Sequence, residues 1–130
     1  ATTFLGVDVP LSNTANFFDG PNTGSIGAAG EIWEISASGS VIEISASNAT
    51  MLLAIFDGTN YVATTGGDFV NSGARIQITI APVIVTLSAA TTFTLRAKDL
   101  STTTGILAKT GAAASAVSNK STWITAIRIA

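Results

Sequence analysis

The sequence predicts an all-β protein, an antiparallel β-sandwich of about eight to ten short strands. Three observations predict it. β-branched residues alternate with polar ones in several segments, short apolar runs are separated by Gly or Asn roughly every ten residues, and a helical repeat of apolar residues is hard to find. The 130 residues have room for one such domain, spanning 1–130.

Alternation is clearest in two segments. The three isoleucines of RIQITI (75–80) share one face of a strand, and Phe93, Leu95 and Ala97 share one face of TFTLRAKD (92–99). One face of each strand is therefore expected to be buried. The predicted strands are 3–9, 31–37, 40–46, 51–56, 61–65, 75–80, 83–87, 92–98, 106–109 and 122–129.

The pentapeptide EISAS occurs twice, at 34–38 and at 43–47. We interpret it as a residue pattern typical of a strand, with Ile and Ala facing the core, in preference to a duplicated binding motif. Because the copies lie nine residues apart, an odd number, one unbroken strand would place them on opposite faces. A turn or bulge at 38–40 is therefore predicted, and Gly39 is the residue type that permits it.

The C-terminal segment TWITAIRI is apolar on both faces of its predicted strand. It is expected to be a central strand buried on both sides, one of them against a neighbouring subunit. The residues predicted for this subunit interface are Trp123, Ile124, Ile127 and Ile129.

Composition excludes several kinds of chemistry. Eight acids and six bases are spread along the chain without a basic cluster, so nucleic acid is not expected as a partner. Cysteine and histidine are absent, which removes thiolate metal sites, the commonest general base and the usual partner of a nucleophilic serine. No enzyme activity and no cofactor are expected.

The ends and hydropathy of the chain give expectations about its context. No signal peptide opens it and no run of about 18 apolar residues occurs, so no membrane association is expected. Ala1 fits removal of an initiator Met from a complete short protein, and a trimmed fragment would begin the same way.

Two stretches, 12–30 and 110–121, break the strand rhythm and are predicted to be long loops used for contacts. Residues 1–30 are predicted to attach the protein to a partner, because an N-terminal strand with exposed backbone groups can pair with another sheet. The residues predicted for this attachment surface are Phe4, Val7, Val9, Phe17, Phe18 and Ile26.

Two similar motifs, FDGPN (18–22) and FDGTN (56–60), contain the residues of tight turns. We interpret both as turns in preference to calcium ligands, since the spaced acidic loop of an EF-hand is missing. The second turn is predicted to close a hairpin between 51–56 and 61–65.

Two further functional hypotheses rest on single residues. Glu34 and Glu43 would form a glycosidase pair only if they converged in a pocket. Tyr61 and Phe69, which lie near predicted turns, are the candidate glycan contacts of a lectin-like module.

Several segments in order along the chain resemble a known group of proteins. They are NTANFFDGPN (13–22), IWEISASG (32–39), LAIFDGTN (53–60), VTLSAATTFTLRAKD (85–99) and STWITAIRI (121–129). They resemble small virion proteins of tailed bacteriophages with a jelly-roll fold similar to tumour necrosis factor and C1q domains, and about ten short strands suit a double-sheet jelly roll.

The resemblance implies a structural protein on the surface of a virion. Such proteins form homotrimers as capsid decoration proteins, head spikes or fibre tips, and the expected partners are other copies of the chain and virion proteins such as the major capsid protein. A long fibrous stalk is lacking, which favours a decoration or spike subunit. The alternative is a receptor-binding or lectin-like tip that recognises cell-surface glycans.

Overall fold

The computed structural model describes residues 2–5, 9–43, 49–69, 75–101, 103, 105–108 and 122–130. The described residues form ten β-strands, and no helical segment of membrane-spanning length and hydropathy occurs among them. The strands are β1 (Thr2–Leu5), β2 (Val9–Leu11), β3 (Phe18–Ile26), β4 (Ile32–Glu43), β5 (Ala49–Phe56), β6 (Tyr61–Phe69), β7 (Arg75–Thr86), β8 (Thr91–Asp99), β9 (Gly105–Ala108) and β10 (Trp123–Arg128).

The strands form two antiparallel sheets. Sheet A contains β1, β10, β4, β9 and β2 in that order of pairing, with β7 on the other side of β4. Sheet B has the order β3-β8-β5-β6. The long strand β4 therefore organises sheet A, because β7 pairs along one side of it while β10 and β9 share the other.

Strands β9 and β10 lie in one row of sheet A. Ala108 pairs with Ser40 and Trp123 pairs with Ser38, which leaves Thr122 opposite Gly39. The buried Thr122 hydroxyl donates a hydrogen bond to the Ala108 carbonyl and accepts one of 3.0 Å from the Ser40 amide. The row is thus continuous in register from Ala108 to Thr122. The predicted loop 110–121 lies outside the described residues.

The connectivity is that of a jelly roll. If the rows β1/β2 and β9/β10 are each counted as one strand, two four-stranded sheets face each other. Each connection between successive strands crosses from one sheet to the other, except the β5–β6 hairpin and the breaks within the two rows. The predicted fold class, an all-β antiparallel sandwich, is confirmed.

The core lies between the sheets and is built by strand alternation. Phe93, Leu95 and Ala97 of β8 face inward and are buried, and Ile78 and Ile80 of β7 meet them from sheet A. Both segments with the clearest alternation therefore bury the predicted face. The hairpin predicted for 51–65 also forms, between β5 and β6.

The turn or bulge predicted at 38–40 is wrong, because β4 runs unbroken from Ile32 to Glu43 and residues 38–40 pair with β7 in regular register. Gly39 serves packing instead: a Cβ there would lie 2.7 Å from Leu53 Cδ1 and 2.9 Å from Leu107 Cδ1. The two glutamates consequently face opposite sides of the sheet, since Glu43 is fully buried and Glu34 lies on the outer face. They are also about 30 Å apart along the strand, so the proposed glycosidase pair does not form.

The stretch 12–30 is not a single loop, because residues 18–26 form β3 at the edge of sheet B. FDGPN therefore lies in a strand, where the register with β8 shifts between Asp19 and Asn22 and again before Ser25. Gly20 is required here, since a Cβ would lie 2.8 Å from Leu107 Cδ2 and 2.9 Å from the Leu95 carbonyl oxygen.

One other expectation about strands is corrected. The predicted strands 75–80 and 83–87 belong to one strand, β7, with a bulge at residues 81–82 opposite Ser36. Strand β10 lies inside sheet A between β1 and β4, yet within one chain only its inner face is fully buried. Its outer face carries half-buried Trp123 and Thr125 and exposed Ile127.

Candidate functional site

The outer face of sheet B carries a cluster of aromatic and cationic side chains, which we call the Arg96 cluster. It consists of Phe17, Asp19, Phe56, Tyr61, Arg96 and Lys98. Strand alternation places them there, since the neighbours of Arg96 and Lys98 on β8 point into the core. Phe56 and Tyr61 are cross-strand partners on the same face.

Arg96 holds the cluster together. Its guanidinium lies 3.7 Å from the centroid of the Phe56 ring, its Nε donates to Asp19 Oδ1 at 2.6 Å, and its NH1 group donates to Tyr61 Oη at 3.2 Å. Partial burial works against the charge, but the hydrogen bonds to Tyr61 and Asp19 hold the pKa of Arg96 above its ordinary value. The cluster therefore keeps a fixed positive centre.

Tyr61 is the most exposed ring of this cluster, with 44% of its surface accessible. Its ring centroid lies 4.9 Å from that of Phe17 and 5.0 Å from that of Phe56. Phe69, the other predicted glycan contact, ends β6 while Tyr61 begins it, so the two are about 26 Å apart along the strand. The side chain of Phe69 lies outside the described part of the structure.

A tight turn adjoins Tyr61 at one end of the sandwich. The Asp57 amide donates to the Asn60 carbonyl at 2.9 Å, and Asp57 Oδ1 accepts from the amides of Thr59 at 2.8 Å and Asn60 at 2.6 Å. Gly58 has φ +98°, which favours glycine. The turn predicted for FDGTN is confirmed.

A cleft opens between this turn and the loop that joins β7 to β8, and we call it the end cleft. It has an inner chamber of about 250 Å³ and an outer groove of about 440 Å³, which share Asp57, Ser88 and Thr91. Apolar side chains line one part of the inner chamber and the polar residues Asp57, Thr86, Ser88 and Thr91 line the other, whereas backbone, hydroxyl and amide groups line most of the groove. The apolar residues of the chamber are Val62, Val85, Leu87 and Phe93.

The wall of the end cleft is held in place by the segment before β4. The backbone of Leu87 makes two hydrogen bonds to this segment. Its carbonyl accepts from the Gly30 amide at 2.8 Å, and its amide donates to the Glu31 carbonyl at 2.9 Å. Glu31 Oε1 accepts from Trp33 Nε1 at 3.1 Å, and Glu31 Oε2 lies 3.3 Å from an Arg128 nitrogen. Hydrogen bonds therefore fix the wall of the end cleft that contains Leu87.

The outer face of sheet A carries a second candidate surface, which we call the isoleucine face. Ile127 is 38% exposed and pairs with Glu34, which pairs in turn with Ile84, 60% exposed. Ile129, just past β10, is 51% exposed. Of the predicted interface residues, Ile127 and Ile129 are on the surface and Trp123 is half-buried. Ile124 is fully buried in the core and cannot contact a partner.

The four described side chains of the predicted attachment surface do not share one face. Val9, Phe18 and Ile26 are half-buried against the core, whereas Phe17 belongs to the Arg96 cluster on the outer face of sheet B. Phe4 lies in β1, but its side chain, like all of Val7, lies outside the described residues. Strand alternation explains the separation, because neighbours in sequence point to opposite faces.

The buried acids have structural contacts. Asp99 accepts hydrogen bonds from the amides of Ser101 at 2.9 Å and Gly105 at 3.2 Å, which closes the connection between β8 and β9. Among the described residues, no three His, Cys, Asp or Glu side chains lie close enough together to hold a metal ion.

Arg96, Asp19 and the end cleft were missed from the sequence. A cationic residue on the polar face of β8 was visible as a signal, but its partners come from β3, β5 and β6.

Comparison with known proteins adds no identity. The chain matches no protein-family model, and the curated proteins compared with it yield no match.

Proposed function

We propose that the chain is a self-associating structural protein of a bacteriophage virion, a trimeric capsid decoration or head-spike subunit that binds and reinforces the particle surface. The observation that carries the proposal is the isoleucine face, where Ile84, Ile127 and Ile129 are exposed on one sheet. The jelly-roll sandwich and the resemblance of the sequence segments to phage virion proteins support it.

The isoleucine face is suited to burial against protein. Fully burying an isoleucine side chain stabilises an interface by about 1.5 to 3 kcal/mol, and three lie here within a few strand positions. Glu34 sits between two of them, so a partner must offer it a hydrogen-bond donor or a cation.

Reinforcement would be mechanical. Each copy bound across a joint between shell proteins adds buried area, and the added area raises the free energy needed to separate them. Among the described residues, β1 and β2 pair on one side only, so this edge of sheet A offers backbone groups to another sheet. Removing residues 1–10 would take away this sheet row, so truncation cannot test attachment without also changing the fold.

The double variant Ile84→Lys, Ile127→Lys is expected to be monomeric, because each lysine would have to be desolvated in the interface. The unaltered protein is expected to have a mass near three times 13.1 kDa by light scattering after size exclusion. Thr64→Lys, on the exposed outer face of β6, is the control and should leave the mass unchanged. A monomeric unaltered protein contradicts the proposed assembly. Absence of the chain from purified particles of its phage, by mass spectrometry, contradicts the virion role.

A second candidate function is that of a receptor-binding or lectin-like tip recognising cell-surface glycans. Tyr61 favours it, because an exposed ring held by Arg96, Phe17 and Phe56 can stack on a sugar with little loss of side-chain entropy.

Tyr61→Ala is expected to abolish binding on a glycan array, because it removes the stacking ring. Tyr61→Phe, which keeps the ring and loses only the hydroxyl, is the matched control and should retain most of the signal. An array on which the unaltered protein binds no glycan contradicts this function.

A further inference from the structure

We propose that the end cleft binds a single neutral sugar ring that carries a methyl-bearing substituent such as an acetamido group. The inference rests on the second candidate function and gives it a site and a ligand class. It is argued independently of self-association, because none of the three exposed isoleucines lines the cleft.

The size and polarity of the two compartments specify the ligand. At about 30 Å³ per water molecule, the inner chamber of about 250 Å³ holds roughly eight waters, which is room for a small ring or its substituent. Half-buried Val62 and Val85 supply its accessible apolar surface. The outer groove offers the hydroxyls of Thr59, Ser88 and Thr92. A ligand that fits both compartments has one apolar group and several hydroxyls.

Asp57 determines the charge of the ligand, because it is the one ionisable side chain among the described residues that line the two compartments. Its Oδ1 is occupied by the turn amides of Thr59 and Asn60. Its Oδ2 has no hydrogen bond to any described residue and can accept one from a sugar hydroxyl. The same carboxylate repels sugars that carry a carboxylate, sulfate or phosphate.

The cleft needs little rearrangement to bind. Hydrogen bonds at Asp57 fix the turn on one side, and Leu87 is bonded to Gly30 and Glu31 on the other. Thr91 Oγ1 donates to the Ala89 carbonyl at 2.9 Å, which holds the loop between β7 and β8. Preformed walls lower the entropic cost of binding. A monosaccharide still has few atoms, so the expected Kd is in the millimolar range.

The test is a ¹H–¹⁵N NMR titration of the full chain with three sugars: N-acetyl-D-glucosamine, D-glucose and N-acetylneuraminic acid. N-acetyl-D-glucosamine is expected to shift the amide signals of residues 57–60 and 87–92. It should bind about fourfold more tightly than D-glucose, the value of one buried methyl-sized group. The anionic sugar should leave these signals unchanged.

Asp57→Asn removes the carboxylate but keeps the turn, because asparagine favours the same turn. It is expected to weaken N-acetyl-D-glucosamine binding about tenfold. Asp68→Asn, an exposed aspartate further along β6, is the matched control and should bind like the unaltered protein. Absent shifts at 57–60 and 87–92 up to about 100 mM sugar, or shifts unaltered by Asp57→Asn, overturn the proposal.

The outcomes also separate the cleft from the wider function. Array binding that depends on Tyr61 but is unchanged by Asp57→Asn would overturn the cleft as the site while the glycan-binding function stands. Sugar binding in the cleft together with a blank array would support the site and contradict recognition of cell-surface glycans.

Discussion

Phe93→Ala is expected to lower the free energy of unfolding by about 3 to 5 kcal/mol. Phe93 is among the largest fully buried side chains and packs in the core between the two sheets. Its removal would leave a cavity that rigid strands cannot fill. The loss is large, because the whole free energy of unfolding of such a domain is only about 5 to 15 kcal/mol. Urea denaturation followed by circular dichroism, at one fixed chain concentration because association adds stability, measures the change.

Phe56→Ala is the control for the loss of a phenyl ring. Phe56 is half-buried on the outer face of sheet B, where solvent can replace much of its contact, so its loss should cost clearly less. Equal midpoints of urea denaturation for Phe93→Ala and Phe56→Ala would contradict the arrangement in which β8 directs Phe93 inward and β5 directs Phe56 outward.

Thr122→Val is expected to lower the free energy of unfolding by about 2 to 6 kcal/mol, although the side chains are nearly identical in shape. The Thr122 hydroxyl is the partner of both the Ser40 amide and the Ala108 carbonyl. Valine would leave these two buried groups unsatisfied, at about 1 to 3 kcal/mol each. The same denaturation experiment measures it.

Thr64→Val, the same exchange at an exposed position of β6, should change stability by less than about 0.5 kcal/mol. If Thr122→Val behaves like this control, the hydroxyl does not join the two parts of the row.

The elements that could be predicted are those whose burial is decided by local alternation. In 75–80 and 92–98 every second residue is apolar, and a sheet with one buried face requires that pattern. β3 could not be predicted in this way, because Gly20, Pro21 and Asn22 are poor strand formers. They form an edge strand because Gly20 allows close approach to Leu95 and Leu107, which are distant in sequence.

The candidate sites required the register between strands. Asp19 and Arg96 are 77 residues apart and meet only because β3 pairs with β8. Ser88 and Thr91 likewise line the end cleft with Asp57 only because β8 pairs with β5. Tyr61 could be chosen from the sequence as an exposed aromatic residue beside a turn, but its contacts with Arg96 and Phe17 could not.

The row formed by β9 and β10 has a consequence for how the gene can change. Ala108 faces outward, Thr122 inward and Trp123 outward, so a peptide bond from Ala108 to Thr122 would preserve both the alternation and the pairing with β4. The pairing of β9 and β10 with β4 therefore sets no length for the peptide that joins Ala108 to Thr122, and a change in that length can leave the register of both strands unaltered.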